Sequence, residues 1–203
     1  MKWLAVLTVV VFTGVTASAT TRNVPAQYVT IQAGINAAAT GDTVLVAPGT
    51  YTENISYGGK AIVIRSSGGR DITFIVAASQ ATPIVSFTSG EGIGRVLEGF
   101  TDRNVSGSYC IRCSGSSPTI RSCTIANSRQ DGLNPVGNAP VVTGDTFQNN
   151  AKYLVWQAAA SNPRLQKNTY IGNGVRAIRI TSAPGKWTAI NRKLMRTMCR
   201  TGC

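Results

Sequence analysis

Leu97, Ile120, Val142 and Leu165 lie 23, 22 and 23 residues apart. Thr101, Thr124, Thr146 and Thr169 keep the same intervals, and Asn104, Asn127 and Asn149 follow at 23 and 22. A further column reads Ile111, Leu133, Trp156 and Ile178, at 22, 23 and 22. A chain that repeats at a fixed period folds as a stack of equivalent units, each burying its apolar face against its neighbours. This period is too short for a pair of helices. Strands rise about 3.3 Å per residue and pair about 4.8 Å apart. One repeat therefore closes three short strands around a narrow core, and the next lays equivalent residues over them. A leucine-rich repeat has a similar period, but its regularly spaced Leu and its Asn/Cys motif are missing.

The columns then acquire roles. Leu97, Ile120, Val142 and Leu165 are expected to point inward, each contributing about 1.5–3 kcal/mol by burial. The Asn column is expected in turns, where Asn tolerates left-handed geometry and its amide can bond along a ladder. Asp102 breaks a column otherwise held by Ile125, Phe147 and Tyr170. Either the chain bends outward there or the carboxylate has a function. Glu98 and Arg121, 23 apart, are expected to stack as a surface ion pair. Arg129 and Asp131 are expected in a solvated turn.

Upstream, Thr30 caps a helix running to Gly41, with Ile31, Ile35, Ala38 and Ala39 on its apolar face. Gly41 is expected to end it in the left-handed conformation. This helix is placed to cover the N-terminal end of the stack, whose open strand edges invite aggregation. Short strands follow at Thr43–Ala47, Ala61–Ser66, Ile72–Val76 and Pro83–Phe87, between Gly- and Ser-rich turns.

The ends of the chain differ in kind. Lys2, the apolar run Trp3–Val15 and Ala17-Ser18-Ala19 form the pattern of a secretory signal. Residues 1–19 are thus expected to be removed on export, leaving no membrane span in the mature chain. Residues 20–183 form the repeat domain. After Pro184 the columns stop, and residues 184–203 are basic. They would be a cap, a basic tail, or sequence from a truncated or shifted reading frame.

The chain has no His, which excludes a serine–histidine hydrolase and a His-ligated zinc site. Cys113 and Cys123 are expected to serve as small apolar core residues. Cys110, Cys199 and Cys203 have no assigned state. Eight acidic residues are present, and no two share a column on successive coils. No metal site or cofactor is identifiable from their spacing. Lys and Arg number 20, a net charge of +12. Beside the Ile111 column run Arg112, Asn134, Gln157 and Arg179, expected as an outward polar stripe able to contact a polyanion. Export and the absence of a nucleic-acid-binding motif argue against nucleic acid as that partner. A monomer is expected.

Tyr28–Ile55, "YVTIQAGINAAATGDTVLVAPGTYTENI", resembles the start of many secreted pectinesterases, pectate lyases and uncharacterised β-helix-repeat proteins. "VSFTSGEG", "RVLEGFTD" and "IRCSGSSPTIRSCTI" are similar to the coils of bacterial right-handed β-helix-repeat proteins. The resemblance, to the pectate-lyase-like superfold, covers about residues 28–183. It implies an all-β fold, a right-handed parallel β-helix solenoid with 22–23-residue coils and an N-terminal capping helix. It also implies action on acidic polysaccharide, lyase-like or pectinesterase-like, with calcium held by clustered carboxylates in the lyases. The catalytic residues stay unassigned, and a non-catalytic carbohydrate-binding scaffold is the alternative.

Replacing Leu165 with Asp is expected to unfold the stack or lower its thermal midpoint strongly. An unchanged melting curve would contradict the inward assignment.

Overall fold

The computed structural model describes residues 18–103, 107–157, 161–174 and 176–180, with side chains except in 153–157 and 176–180. The signal-like segment up to residue 17, Asn104, and the basic segment with Cys199 and Cys203 lie outside the described residues.

Alternation of side chains along each short strand decides the architecture. In Thr43–Val46, for example, Val44 and Val46 are fully buried while Thr43 and Leu45 are only partly so. The described strands form three parallel sheets visited in turn, giving a right-handed parallel β-helix with one N-terminal helix. The first sheet contains Thr21–Val24, Thr43–Val46, Val63–Ser66, Val96–Glu98, Thr119–Arg121, Val141–Thr143 and Arg164–Gln166. The second contains Gly49–Thr52, Thr73–Val76, Thr101–Arg103, Thr124–Ala126, Thr146–Gln148 and Thr169–Ile171. The third contains Ile55–Ser56, Val85–Phe87, Ile111–Ser114, Leu133–Val136, Tyr153–Gln157 and Arg176–Ile180.

The inward column on the first sheet is longer than the repeat alone shows. Val44, Ile64, Leu97, Ile120, Val142 and Leu165 stack in register, and all are buried. On the third sheet the column is Ile111, Leu133, Val155 and Ile178. Trp156 is therefore displaced by one residue from its expected place, because that coil takes 22 residues rather than 23.

Each later coil turns from the first sheet to the second in two residues, such as Ser122-Cys123 and Gly144-Asp145. So tight a corner needs a left-handed residue, and Gly99, Ser122, Gly144 and Lys167 all have positive φ, between 52° and 79°. The corner after the second sheet does the same at Asn127, Asn149 and Gly172. The Asn column thus supplies left-handed turns as expected. The amide ladder, however, is carried by the next residue. Asn150 Oδ1 accepts from the Ser128 N–H at 3.1 Å, and its Nδ2 donates to the Ile125 carbonyl at 2.9 Å. Asn173 repeats both contacts one coil later, at Asn150 N and Phe147 O.

The helix, α1, spans Ile31–Ala37. Thr30 caps it, its hydroxyl accepting from the Ala33 N–H at 3.1 Å. It ends before Gly41, with Ala38 extended, and Ala39 is exposed rather than on the buried face. Glu53 accepts from the Ile31 and Gln32 N–H groups, and Lys60 Nζ donates to the carbonyls of Ile35, Asn36 and Ala38. Opposite charges thus satisfy the free groups at both ends and match the helix dipole. Gly34 lets the helix settle on the first coil, since a Cβ there would lie 3.0 Å from Val44 Cγ1 and 3.1 Å from Val24 Cγ2. Gln32 binds both the N–H and the carbonyl of Ser56, on the edge strand of the third sheet. The expected cover over an open edge is therefore present.

Replacing Asn150 with Ala strands the Ser128 N–H and the Ile125 carbonyl. At about 1–3 kcal/mol for each buried orphaned group, chemical denaturation should show a loss of about 2–6 kcal/mol.

Candidate functional site

The residues of the expected polar stripe lie on the third sheet. Arg112 pairs with Asn134 on the third sheet, as expected, and Arg112 is exposed. Asn134 is only 2% exposed, so it does not present a free polar surface. Gln157 pairs with Ile180, whereas Arg179 pairs with Trp156. Arg112, Asn134 and Arg179 therefore share a column, with Trp156 between Asn134 and Arg179, and Gln157 falls outside it. The cause is the same one-residue slip that displaced Trp156. The side chains of Gln157 and Arg179 lie outside the described residues.

Clefts form elsewhere. Between the first and second sheets, the early coil inserts Ser67–Ile72 where later coils use two residues. This loop lies along the following corners. Arg70 Nη1 donates to the Cys123 carbonyl at 3.2 Å and to the Gly144 carbonyl at 3.0 Å, two later coils gripped by one side chain. The Thr101 hydroxyl donates to the Arg70 carbonyl at 2.8 Å and holds the loop's base.

Two open clefts of about 340 Å³ each flank the loop, and Arg70 and Asp71 line both. The first is completed by Glu98, Gly99, Ser122 and Gly144 at the corner. The second lies on the outer face of the second sheet, with Phe74, Thr101, Arg103, Thr124, Asn127 and Gln148. The Arg103 guanidinium sits 4.3 Å from the centre of the Phe74 ring. That contact fixes a cation on the cleft floor. The spacing of the threonines along the stack is set by strand pairing, about 4.8 Å per coil. The cleft therefore presents two cations and hydroxyl and amide groups on a rigid, repeating floor. Neither Arg70 nor Arg103 stood out in the repeat. The signal available was the broken period, since Ile64 and Leu97 are register neighbours 33 residues apart.

The acidic residues are mostly committed. Asp42 pairs with Arg22 at 3.0 Å and accepts from the Thr20 and Ala39 N–H groups, which hold its carboxyl below the usual range. Glu53 caps α1. Glu91 is buried and accepts from Ser116 Oγ and from the N–H groups of Ser89 and Gly59. Asp131 is buried rather than solvated. Glu98 and Arg121 form the expected ion pair, 2.8 Å apart, on adjacent coils.

Asp102 does not bend outward. It stays in register between Ile75 and Ile125 and points into the core, fully buried. Asp145, at the corner, is also buried. Of the eight acids, Asp71 and Glu98 alone line the clefts. Calcium takes six to eight oxygen ligands. Among the described residues no three His, Cys, Asp or Glu side chains cluster as a metal site.

Cys110, Cys113 and Cys123 are buried free thiols, and burial pushes all three up from the ordinary thiol range. Cys113 and Cys123 therefore serve as core residues, as expected. Among the described residues no helix is long and apolar enough to cross a membrane.

Among solved structures, the chain is similar to a pectin methylesterase in complex with hexasaccharide VII. The identity is 12% and the TM-score 0.52, over 85% of this chain and 74% of that one. A point mutant of pectin methylesterase in complex with hexasaccharide IV aligns at 11% identity and TM-score 0.47, with the same coverage. At such identity the likeness concerns the fold. No curated protein matches the chain. The family model for a right handed beta helix region matches residues 54–193, and the chain belongs to that family.

Proposed function

We propose that this is an exported, monomeric β-helix protein that binds acidic polysaccharide along the outer face of its second sheet. The observation that carries this reading is the Ser67–Ile72 insertion, which builds a cleft between Arg70 and Arg103 on a floor of Thr101, Thr124 and Gln148. Guanidinium groups suit carboxylates because their planar donors can engage both oxygens. The hydroxyl and amide groups suit sugar hydroxyls. The high positive charge of the chain adds long-range attraction for a polyanion. The similar fold of the pectin methylesterase–hexasaccharide complex agrees with a sugar polymer as ligand.

A second, catalytic reading is favoured by one observation. Asp71 and Glu98 line the same cleft as Arg70, so carboxylates and a cation meet there. Lyase or esterase action on a uronate polymer would draw on these groups.

Calorimetric titration with polygalacturonate and alginate separates the possibilities. The expected result is binding that weakens with salt. Joint replacement of Arg70 and Arg103 by Ala should weaken it at least about tenfold, a modest loss for two charge-assisted contacts. Joint replacement of Arg112 and Arg179 by Ala should leave it nearly unchanged. The reverse pattern would move the site to the third sheet, and no binding to any uronate polymer would overturn the reading. A rise in ultraviolet absorbance or release of methanol from pectin would establish the catalytic alternative.

A further inference from the structure

Asp102 lies in an all-apolar column, with Ile75 on one side and Ile125 on the other. It is 0% exposed, and neither carboxyl oxygen has a hydrogen-bond partner. Asp145 occupies a corner two coils on. Its Oδ1 accepts from the Cys123 N–H at 2.6 Å, and its Oδ2 has no partner.

The next coil shows what belongs at that orphaned atom. Asn168 accepts from the Asp145 N–H at 2.9 Å, as Asp145 does from Cys123, and its Nδ2 donates to the Val142 carbonyl at 3.0 Å. Ile120 is the register partner of Val142 on the preceding coil. A protonated Asp145 carries a donor where Asn168 has its amide, whereas an ionised carboxylate carries none.

We propose that Asp102 and Asp145 are held as neutral acids, so that the coil stack beneath the cleft is a pH-sensitive element that weakens as they lose their protons. The location gives this consequence for the surface. Asp102 sits between Thr101 and Arg103 of the cleft floor, and Asp145 follows Gly144, whose carbonyl holds Arg70.

The groups around the pair favour neutrality. Asp102 faces Asp145, the Cys110 and Cys123 thiols and the Tyr57 phenol. Asp145 faces Asp102, Cys123 and Tyr170, with Arg70 as the opposing cation. Burial, then the charge of Asp145, pushes Asp102 up to about 8. Burial pushes Asp145 up to about 7, against the Cys123 N–H and Arg70. The thiols and both phenols are themselves pushed upward by burial and do not take over the charge.

These are acids raised in the folded state, so the native chain holds more protons than the unfolded chain above about pH 4, the ordinary Asp value. Their favourable contribution is complete below that pH and is lost as pH rises through the folded values, near 7 and 8. Within the window each acid costs about a factor of ten in the folding equilibrium per pH unit.

The test is urea denaturation of the full chain between about pH 5 and pH 9, with Asp102→Asn and Asp145→Asn beside it. The expected midpoint falls toward alkaline pH in the wild type, and each Asn variant flattens the fall. A level wild-type profile, or variants that keep the wild-type slope, would overturn the proposal. Infrared spectroscopy of the folded wild type gives a second readout that does not depend on the variants folding. A protonated-carboxyl band near pH 6, below both folded values, is expected, and carboxylate absorption alone would overturn it. None of these outcomes depends on polysaccharide binding.

Discussion

Parallel backbone hydrogen bonding between successive coils is the constraint on which this structure rests. It fixes which residue lies over which, and strand alternation then decides which side chains face the core. Val44, Ile64, Leu97, Ile120, Val142 and Leu165 form one continuous inner rib for that reason. The same constraint makes the fold sensitive to length. Val155, rather than Trp156, follows Leu133 because one coil is a residue shorter than the alternative alignment requires.

Keeping register around a narrow core demands sharp corners, and those leave backbone groups to be satisfied. Left-handed residues make the corners, and side chains from the next coil bind the exposed N–H and carbonyl groups. Asn150, Asn168 and Asn173 do this with two-sided amides. Asp145 accepts one of the same contacts, from the Cys123 N–H, while its Oδ2 has no partner. At the N-terminal end, Glu53, Lys60 and Gln32 play the equivalent part for α1 and the edge strand.

The inner rib, the threonine rows, the Glu98–Arg121 pair and the helix start were legible in the sequence. They depend on period and local capping, and both can be counted along a chain. The helix end was less legible because Ala38, not the more obvious Gly41, leaves the helical conformation first. The amide ladder was missed by one residue, since Asn149 and Asn150 are adjacent and only geometry tells the turn-former from the ladder. The cleft was the least legible feature. Arg70 lies in an insertion outside the repeat and acts on carbonyls 53 and 74 residues away, a reach that no periodicity encodes. Asp102 was visible as a break in its column, but the surrounding stack holds it in register and does not let it turn outward.

A single scaffold thus carries two kinds of departure from its own pattern. The inserted loop adds a cationic, hydroxyl-lined cleft outside, and the buried acids place ionisable groups beneath it. We propose that the outer face of the second sheet is where this protein meets its ligand. Amide chemical-shift mapping by NMR during titration with a short oligogalacturonate tests it most directly. Shifts concentrated at Arg70, Thr101, Arg103, Thr124, Asn127 and Gln148 are the expected result. Shifts confined to Arg112, Asn134 and the rest of the third sheet, with the cleft silent, would contradict it.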